Sequence, residues 1–255
     1  KAIEAAGIKV EKVAEDTGMW DRVKGQEKMA AFIAAHDNIE AVLANNDDMA
    51  LGAIEALKAA GYFGADKKFM PVVGVDATAP ALAALKDGTL LGTVLNDAVN
   101  QGKATLNLTY VLAKGETPTD ANTGYKITDG KYVWVDYKPI TLENIGEATG
   151  EEPAAAAPAA PAAPAADMSP VDGTAGVAVY KFDDTFMTAV RNSITKEAEG
   201  KIKVEMVDSQ NSQATQNDQV DLFVSKGVKV MAINPVDRTA AGVILDKAKA
   251  ANTPI

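Results

Sequence analysis

The chain has 255 residues, is 47% hydrophobic and carries a formal net charge of -10 at neutral pH. That is enough apolar sequence for one large core or two smaller ones. The acidic surplus opposes nucleic acid and anionic membrane surfaces, which are bound through Lys and Arg. With no cysteine and a single histidine, His36, the chain excludes disulfides, thiolate metal sites, a cysteine nucleophile and a multi-histidine metal site. It also excludes a lipid-bearing N-terminal cysteine on this chain. No apolar run reaches bilayer length and no signal-peptide pattern occurs, which says nothing about compartment in a mature chain.

In chain order, residues 1–7 read as the end of a helix with Gly7 as its cap. A strand is expected over 8–13, then a helix over 20–35 with Val23, Met29, Phe32 and Ile33 at helical spacing. A strand over 39–44 leads through Asn45, Asn46, Asp47 and Asp48 into a helix over 49–60, where Asn and Asp suit the orphan N–H groups of a first turn. Residues 69–75 read as a strand ending at Asp76, followed by a helix over 79–85. A strand over 90–95 runs into Asn96 and Asp97 and a long helix over 98–113. The alternating run 125–137 turns at Asp129-Gly130, a hairpin signal.

Residues 151–170 are mostly Ala and Pro. Such a segment has little to bury, and its spaced prolines forbid helix and favour an extended spacer. After it the same alternation restarts: strands over 176–180, 201–206 and 228–233, and helices over 186–199, 213–226 and 239–250, with Gly227 ending the second helix. Strands alternating with helices predict an α/β fold with parallel sheets flanked by helices, in at least two units. Ligands of such sheets bind outside the carboxyl ends of the strands, where Asp184, Asn46, Asp47, Asp76 and Asn96 all fall. Helix capping alone accounts for about half of such positions.

The segments VAVYKFDDTFM (177–187), DTGMWDRVKGQEKM (16–29), ANNDDMALGAIEALKAAG (44–61), PVVGVDA (71–77) and GTVLNDAVNQGKAT (92–105) carry a resemblance. Together with residues 208–237, they are similar to the D-glucose/D-galactose-binding branch of the type I periplasmic sugar-binding proteins. The resemblance covers nearly all of both sides of the spacer. It implies the two-lobed fold of that family in permuted order, with the spacer joining the family's end to its beginning. Residues 1–150 then correspond to the carboxy-terminal lobe with a closing hairpin and tail, and 171–255 to the first part of the amino-terminal lobe. The stretch that would link Ile255 to Lys1, with further sugar ligands and the calcium loop, has no counterpart. A fragment, or a chain completed by a second polypeptide, is therefore expected. Calcium is expected to be absent as a cofactor, with Glu40 at most one stranded ligand.

Carried over residue by residue, the resemblance implies that Trp20 and Phe186 stack on the two faces of a hexose. It also implies that Asn46, Asp76, Asn96 and Asp184 hydrogen-bond the hydroxyls. Without it, Trp20 and Phe186 read as core, Asp184 as a helix cap, Asp47 and Asp97 as caps, and Trp134 as hairpin packing. His36 reads as a surface residue at a helix end. The cluster Gln210, Asn211, Gln213, Gln216 and Asn217 reads as surface hydrogen bonding.

The implied function is non-catalytic binding of D-glucose or D-galactose between two closing lobes. Delivery would be to the membrane subunits of an ABC transporter or to a chemoreceptor. The implied location is the periplasm, with or without a membrane tether outside this chain. Enzyme motifs are missing: no dinucleotide fingerprint, phosphate loop or nucleophile elbow occurs. A receiver domain would use Asp183-Asp184 but lacks its later Thr and Lys landmarks. A scaffold with little sugar binding is the alternative, followed by a repressor-like sugar-sensing domain without a basic helix-turn-helix.

Overall fold

The computed structural model describes residues 5–65, 68–149 and 169–255. Its elements run α1 (Arg22–Ala35), β1 (Val42–Leu43), α2 (Asp47–Ala59), β2 (Val72–Val73) and α3 (Ala79–Lys86). They continue through β3 (Thr93–Asn96), α4 (Ala98–Ala113), α5 (Asp120–Thr123), β4 (Ile127–Thr128), β5 (Tyr132–Val133), β6 (Tyr137–Ile140) and α6 (Gly146–Thr149). Last come β7 (Thr174–Val179), α7 (Thr185–Ala198), β8 (Lys203–Asp208), α8 (Gln213–Lys226), β9 (Val230–Ile233) and α9 (Ala241–Ala250). The spacer, apart from Ser169 and Pro170, and the first four residues of the expected leading helix lie outside the described residues.

Residues 5–96 and 137–149 form one compact unit. β1 and β2 pair in parallel, Val42 opposite Val72 and Leu43 opposite Val73. The parallel run passes to β3 through bridges between Val73 and Gly92 and between Asp76 and Leu95. There the Asp76 N–H donates to the Val94 carbonyl at 2.8 Å. β6 closes the edge antiparallel to β3, Thr93 opposite Ile140. Val72 is fully buried beneath Leu57, Ile54, Met70 and Leu90, with Phe32 and Ile33 of α1 against the same cluster. Each such Leu or Ile contributes about 1.5–3 kcal/mol by leaving water.

α1 crosses α2 so closely that only glycine fits at the contact. A Cβ on Gly52 would lie 2.0 Å from the Arg22 carbonyl oxygen, and one on Gly25 would lie 2.7 Å from the Met49 backbone. Beside this contact the Arg22 guanidinium grips Asp48 Oδ1, with Nη2 at 2.8 Å. The crossing fixes the start of α2, and with it Asn46 and Asp47.

The second unit comprises residues 97–136 and 169–255. Its sheet has the order β8–β7–β9, all parallel, with Val177 opposite Met206 on one side and Ala232 on the other. Val177 and Val179 are buried with Val190 and Ile194 of α7 and with Leu106 of α4. The Ser193 hydroxyl adds a bond to the Val99 carbonyl at 2.7 Å. The units thus divide the chain differently from the boundary at 150. Residues 97–136 join the segment after the spacer because α4 supplies one wall of that segment's core.

β4 and β5 make the expected hairpin, Thr128 opposite Tyr132. Three residues separate that pair; Asp129 and Gly130 both have left-handed backbone (φ 53 and 64), as the centre of a type I′ turn requires, and the Lys131 N–H closes it on the Thr128 carbonyl at 3.0 Å. Other boundaries move. Residues 8–13 are not a strand: Ile8 and Val10 are exposed, and among the described residues no ladder receives them. β-branched alternation without a partner strand does not hold extended pairing. The expected strands over 39–44, 69–75 and 90–95 contract to the residues that meet neighbours. The helix expected over 239–250 opens as a 3₁₀ turn, Arg238–Ala240, before α9. After α9 the Met231 N–H donates to the Pro254 carbonyl at 2.9 Å, so the tail runs beside β9.

Candidate functional site

Asn46, Asp76 and Asn96 stand at the carboxyl ends of β1, β2 and β3 in the first unit, and Trp20, in the turn just before α1, is tied to Asn46. Asn46 is the N-cap of α2: its Oδ1 accepts the Met49 N–H at 2.9 Å. Its Nδ2 donates to the Trp20 carbonyl at 3.2 Å. The residue is therefore buried and spent on backbone, the capping role, while it also fastens Trp20. Trp20 itself is 51% exposed, so the core reading fails for it. Met19 and Trp20 both adopt left-handed backbone, φ 52 and 62, immediately before the Asp21 cap of α1. A bulky residue held there costs on the order of 1–3 kcal/mol and marks a place where geometry is used.

Asp76 follows β2 in a second unusual turn, with φ 118 at Asp76 and 53 at Ala77. Its Oδ1 accepts from Asn96 Nδ2 at 3.0 Å, joining the ends of two neighbouring strands. Both side chains are half-buried. Beneath them lies Asp47, which sequence reasoning treated as a cap and the structure does not. Asp47 is buried, with Oδ1 accepting the Thr93 hydroxyl at 2.7 Å and Oδ2 the Thr78 N–H at 2.7 Å. Burial pushes its carboxyl up to about 6 from the ordinary 3.8, against the lowering effect of those two hydrogen bonds.

In the second unit Asp184 and Phe186 stand after β7. Asp184 caps α7, its Oδ1 accepting the Met187 N–H at 2.6 Å, and its Oδ2 accepts the Tyr180 hydroxyl at 2.6 Å. Phe186 is half-buried and packs against the Val177–Ile194 cluster, so it serves the core in part. Nearby, the Arg191 guanidinium lies 4.0 Å from the centre of the Phe182 ring and donates to the Phe182 carbonyl at 2.8 Å. Tyr180 and Arg191 were not singled out from sequence. The spacing of Tyr180 four residues before Asp184 was the available signal.

Of the expected surface cluster after β8, Gln210 and Asn211 are exposed, whereas Gln216 turns inward and joins loops. Gln216 is fully buried; its Nε2 donates to Ser209 Oγ and to the Asn234 carbonyl at 3.0 Å each, and its Oε1 accepts the Val236 N–H at 3.0 Å. His36 ends α1, its N–H donating to the Phe32 carbonyl at 2.9 Å. Trp134 stacks on Tyr132 with ring centres 5.6 Å apart, which is hairpin packing. Glu40 is exposed, and among the described residues no three acidic or histidine side chains gather as a metal set. An open cavity of about 500 Å³ lies in the second unit along Ala198, Ile202, Val204 and Met206. Neither Asp184 nor Phe186 lines it.

An exposed indole face suits the C–H surface of a sugar, and carboxylate and amide groups suit its hydroxyl edge. Among the described residues no helix is long and apolar enough to cross a membrane. The chain matches the family model described as "Periplasmic binding protein domain" over residues 1–117 and 175–255. It is similar to the D-galactose/methyl-galactoside binding periplasmic protein of Haemophilus influenzae, 41% identical over 57% of this chain and 42% of that protein. It is also similar to the D-ribose/D-allose-binding protein of Pseudomonas aeruginosa, 37% identical over 48% of this chain and 37% of that protein. Among solved structures it is similar to an ABC transporter solute binding protein from Bacillus halodurans with bound myo-inositol. That match has 33% identity and a TM-score of 0.40, over 56% of this chain and 44% of the other. The chain thus spans about two fifths of the length of these curated relatives. With most of its residues matched by that family model, the chain belongs to the periplasmic binding protein family.

Proposed function

We propose that the chain is a non-catalytic sugar-binding protein of the periplasm that serves the membrane subunits of an ABC transporter. The observation that carries this reading is the collection of Asn46, Asp76 and Asn96 at the carboxyl ends of β1, β2 and β3, with Trp20 tied to Asn46. Asp184 and Phe186 hold the equivalent place, after a strand and at a helix start, in the other unit. A hexose, D-galactose or D-glucose, is the proposed ligand, supported by the 41% identity to a galactoside-binding relative. A permuted order around the Ala/Pro spacer is part of the proposal. Its support is the order of the resembling segments, GTVLND (92–97) before the spacer and VAVYKFDD (177–184) after it.

Hydrogen bonds to a charged group are worth about 1.5–3 kcal/mol each, so a site losing one carboxylate should bind the sugar roughly ten- to a hundredfold more weakly. Calorimetric titration of the folded chain with D-galactose, D-glucose and D-ribose tests the reading. Saturable heat with at least one hexose, tighter than with ribose, is expected. Folded protein giving no heat with any of the three would leave the scaffold alternative in front.

A further inference from the structure

Backbone groups on both sides of Asp76 are held by the buried Asp47 and by Thr93 beside it. On the near side, the Asp47 N–H donates to the Val75 carbonyl at 2.8 Å. On the far side, the Thr78 N–H donates to Asp47 Oδ2 at 2.7 Å. Between them, the Ala77 N–H donates to Thr93 Oγ1 at 3.2 Å, and that hydroxyl in turn donates to Asp47 Oδ1 at 2.7 Å. The three of these that involve its backbone bracket the turn, whose φ angles are 118 at Asp76 and 53 at Ala77. Backbone of that kind persists only when its surroundings over-determine it.

The carboxylate also needs room beside the strand. A Cβ on Gly74 would lie 2.3 Å from Asp47 Oδ1, so glycine before the turn is what admits the clamp. Thr93 is itself buried and lies in β3, three residues before Asn96, so the same carboxylate reaches the strand that carries the Asp76 partner. A helix cap does none of this. Asn46 already provides the side-chain cap of α2.

We propose that Asp47 and Thr93 are positioning residues of the sugar site: through the Thr93 hydroxyl and the Thr78 N–H they hold the Asp76–Ala77 turn in its left-handed form and so set where the Asp76 carboxylate points. The link to sugar rests on the function proposed above; the clamp itself does not. Thr93→Val keeps the shape and removes the relay, whereas Thr93→Ser keeps the hydroxyl. Asp47→Asn keeps one acceptor but turns a donor toward either Thr93 or the Thr78 N–H.

Two readouts on the full chain separate the clamp from the sugar reading. Amide hydrogen exchange at Ala77 and Thr78 should accelerate about tenfold or more in Thr93→Val, as loss of one net hydrogen bond implies. Exchange in β7–β9 should stay unchanged, and Thr93→Ser should match the parent. D-galactose affinity should fall about tenfold in Thr93→Val and stay within about twofold in Thr93→Ser. If Thr93→Val does not fold, Asp47→Asn is read in the same way. Parent-like exchange at Ala77 and Thr78 in these variants overturns the clamp, as does equal loss in Thr93→Ser and Thr93→Val. Local loss of protection with parent-like galactose affinity overturns its positioning role. A parent chain that binds neither D-galactose nor D-glucose refutes the sugar reading, and exchange alone then decides the clamp.

Discussion

At Asp184 one carboxylate does two things: it caps α7 through the Met187 N–H and accepts the Tyr180 hydroxyl. Removing it as Asp184→Ala should cost about 1–2 kcal/mol, the usual range for a lost helix cap, in urea unfolding. Asp47 behaves differently because its burial raises its carboxyl to about 6, above the 3.8 expected when unfolded. Between those values the folded form holds the proton more tightly. The Asp47 contribution is therefore fully present below about pH 4 and lost as pH rises through about 6. Two pH units correspond to roughly 3 kcal/mol at most. The stability of the parent relative to Asp47→Asn should thus improve on acidification from pH 7 to pH 4, measured by paired urea melts. A pH-independent difference would contradict the burial of this carboxyl. The sequence marked Asn46, Asp76, Asn96 and Asp184 because polar residues after β-branched runs are visible as a pattern. It could not separate Asp47 from a cap, because burial under Thr78 and Thr93 depends on contacts 31 and 46 residues away.

Among the elements, α4 and α8 were legible to the residue: apolar periodicity ran between Asp97 and Ala113 in one, and Gly227 closed the other. The strands of the first unit were legible only as apolar runs. Their paired length is set by neighbours, and residues 8–13 show the same composition without a partner among the described residues. The α1–α2 crossing was not legible, since a glycine inside a helix gives no sign of which backbone approaches it. Gly52→Ala should force the helices apart at the Arg22 carbonyl. Overpacking of this kind costs about 1–3 kcal/mol. The same variant should weaken sugar binding, because α2 carries Asn46; a variant as stable as the parent would show that the crossing yields freely.

For the whole molecule, the alternation of strands and helices gave the α/β class, and two compact units are present. What the linear reading missed is that residues 97–136 leave the unit of their sequence neighbours and complete the core built by β7 and α7. A covalent boundary and a packing boundary are set by different physics: the spacer by lack of apolar side chains, the unit by where Leu106 finds its partners. β3 ends at Asn96 and the chain changes units at Asp97. Of the two tryptophans, Trp134 is confined to the hairpin, so a Trp134→Phe protein reports on Trp20 alone. Titrating that protein with D-galactose should give a saturable change in Trp20 emission. Adding Asp76→Ala should move its midpoint up at least about tenfold. No saturable change, or an unmoved midpoint in the Asp76→Ala protein, would contradict a sugar site at the carboxyl ends of β1, β2 and β3.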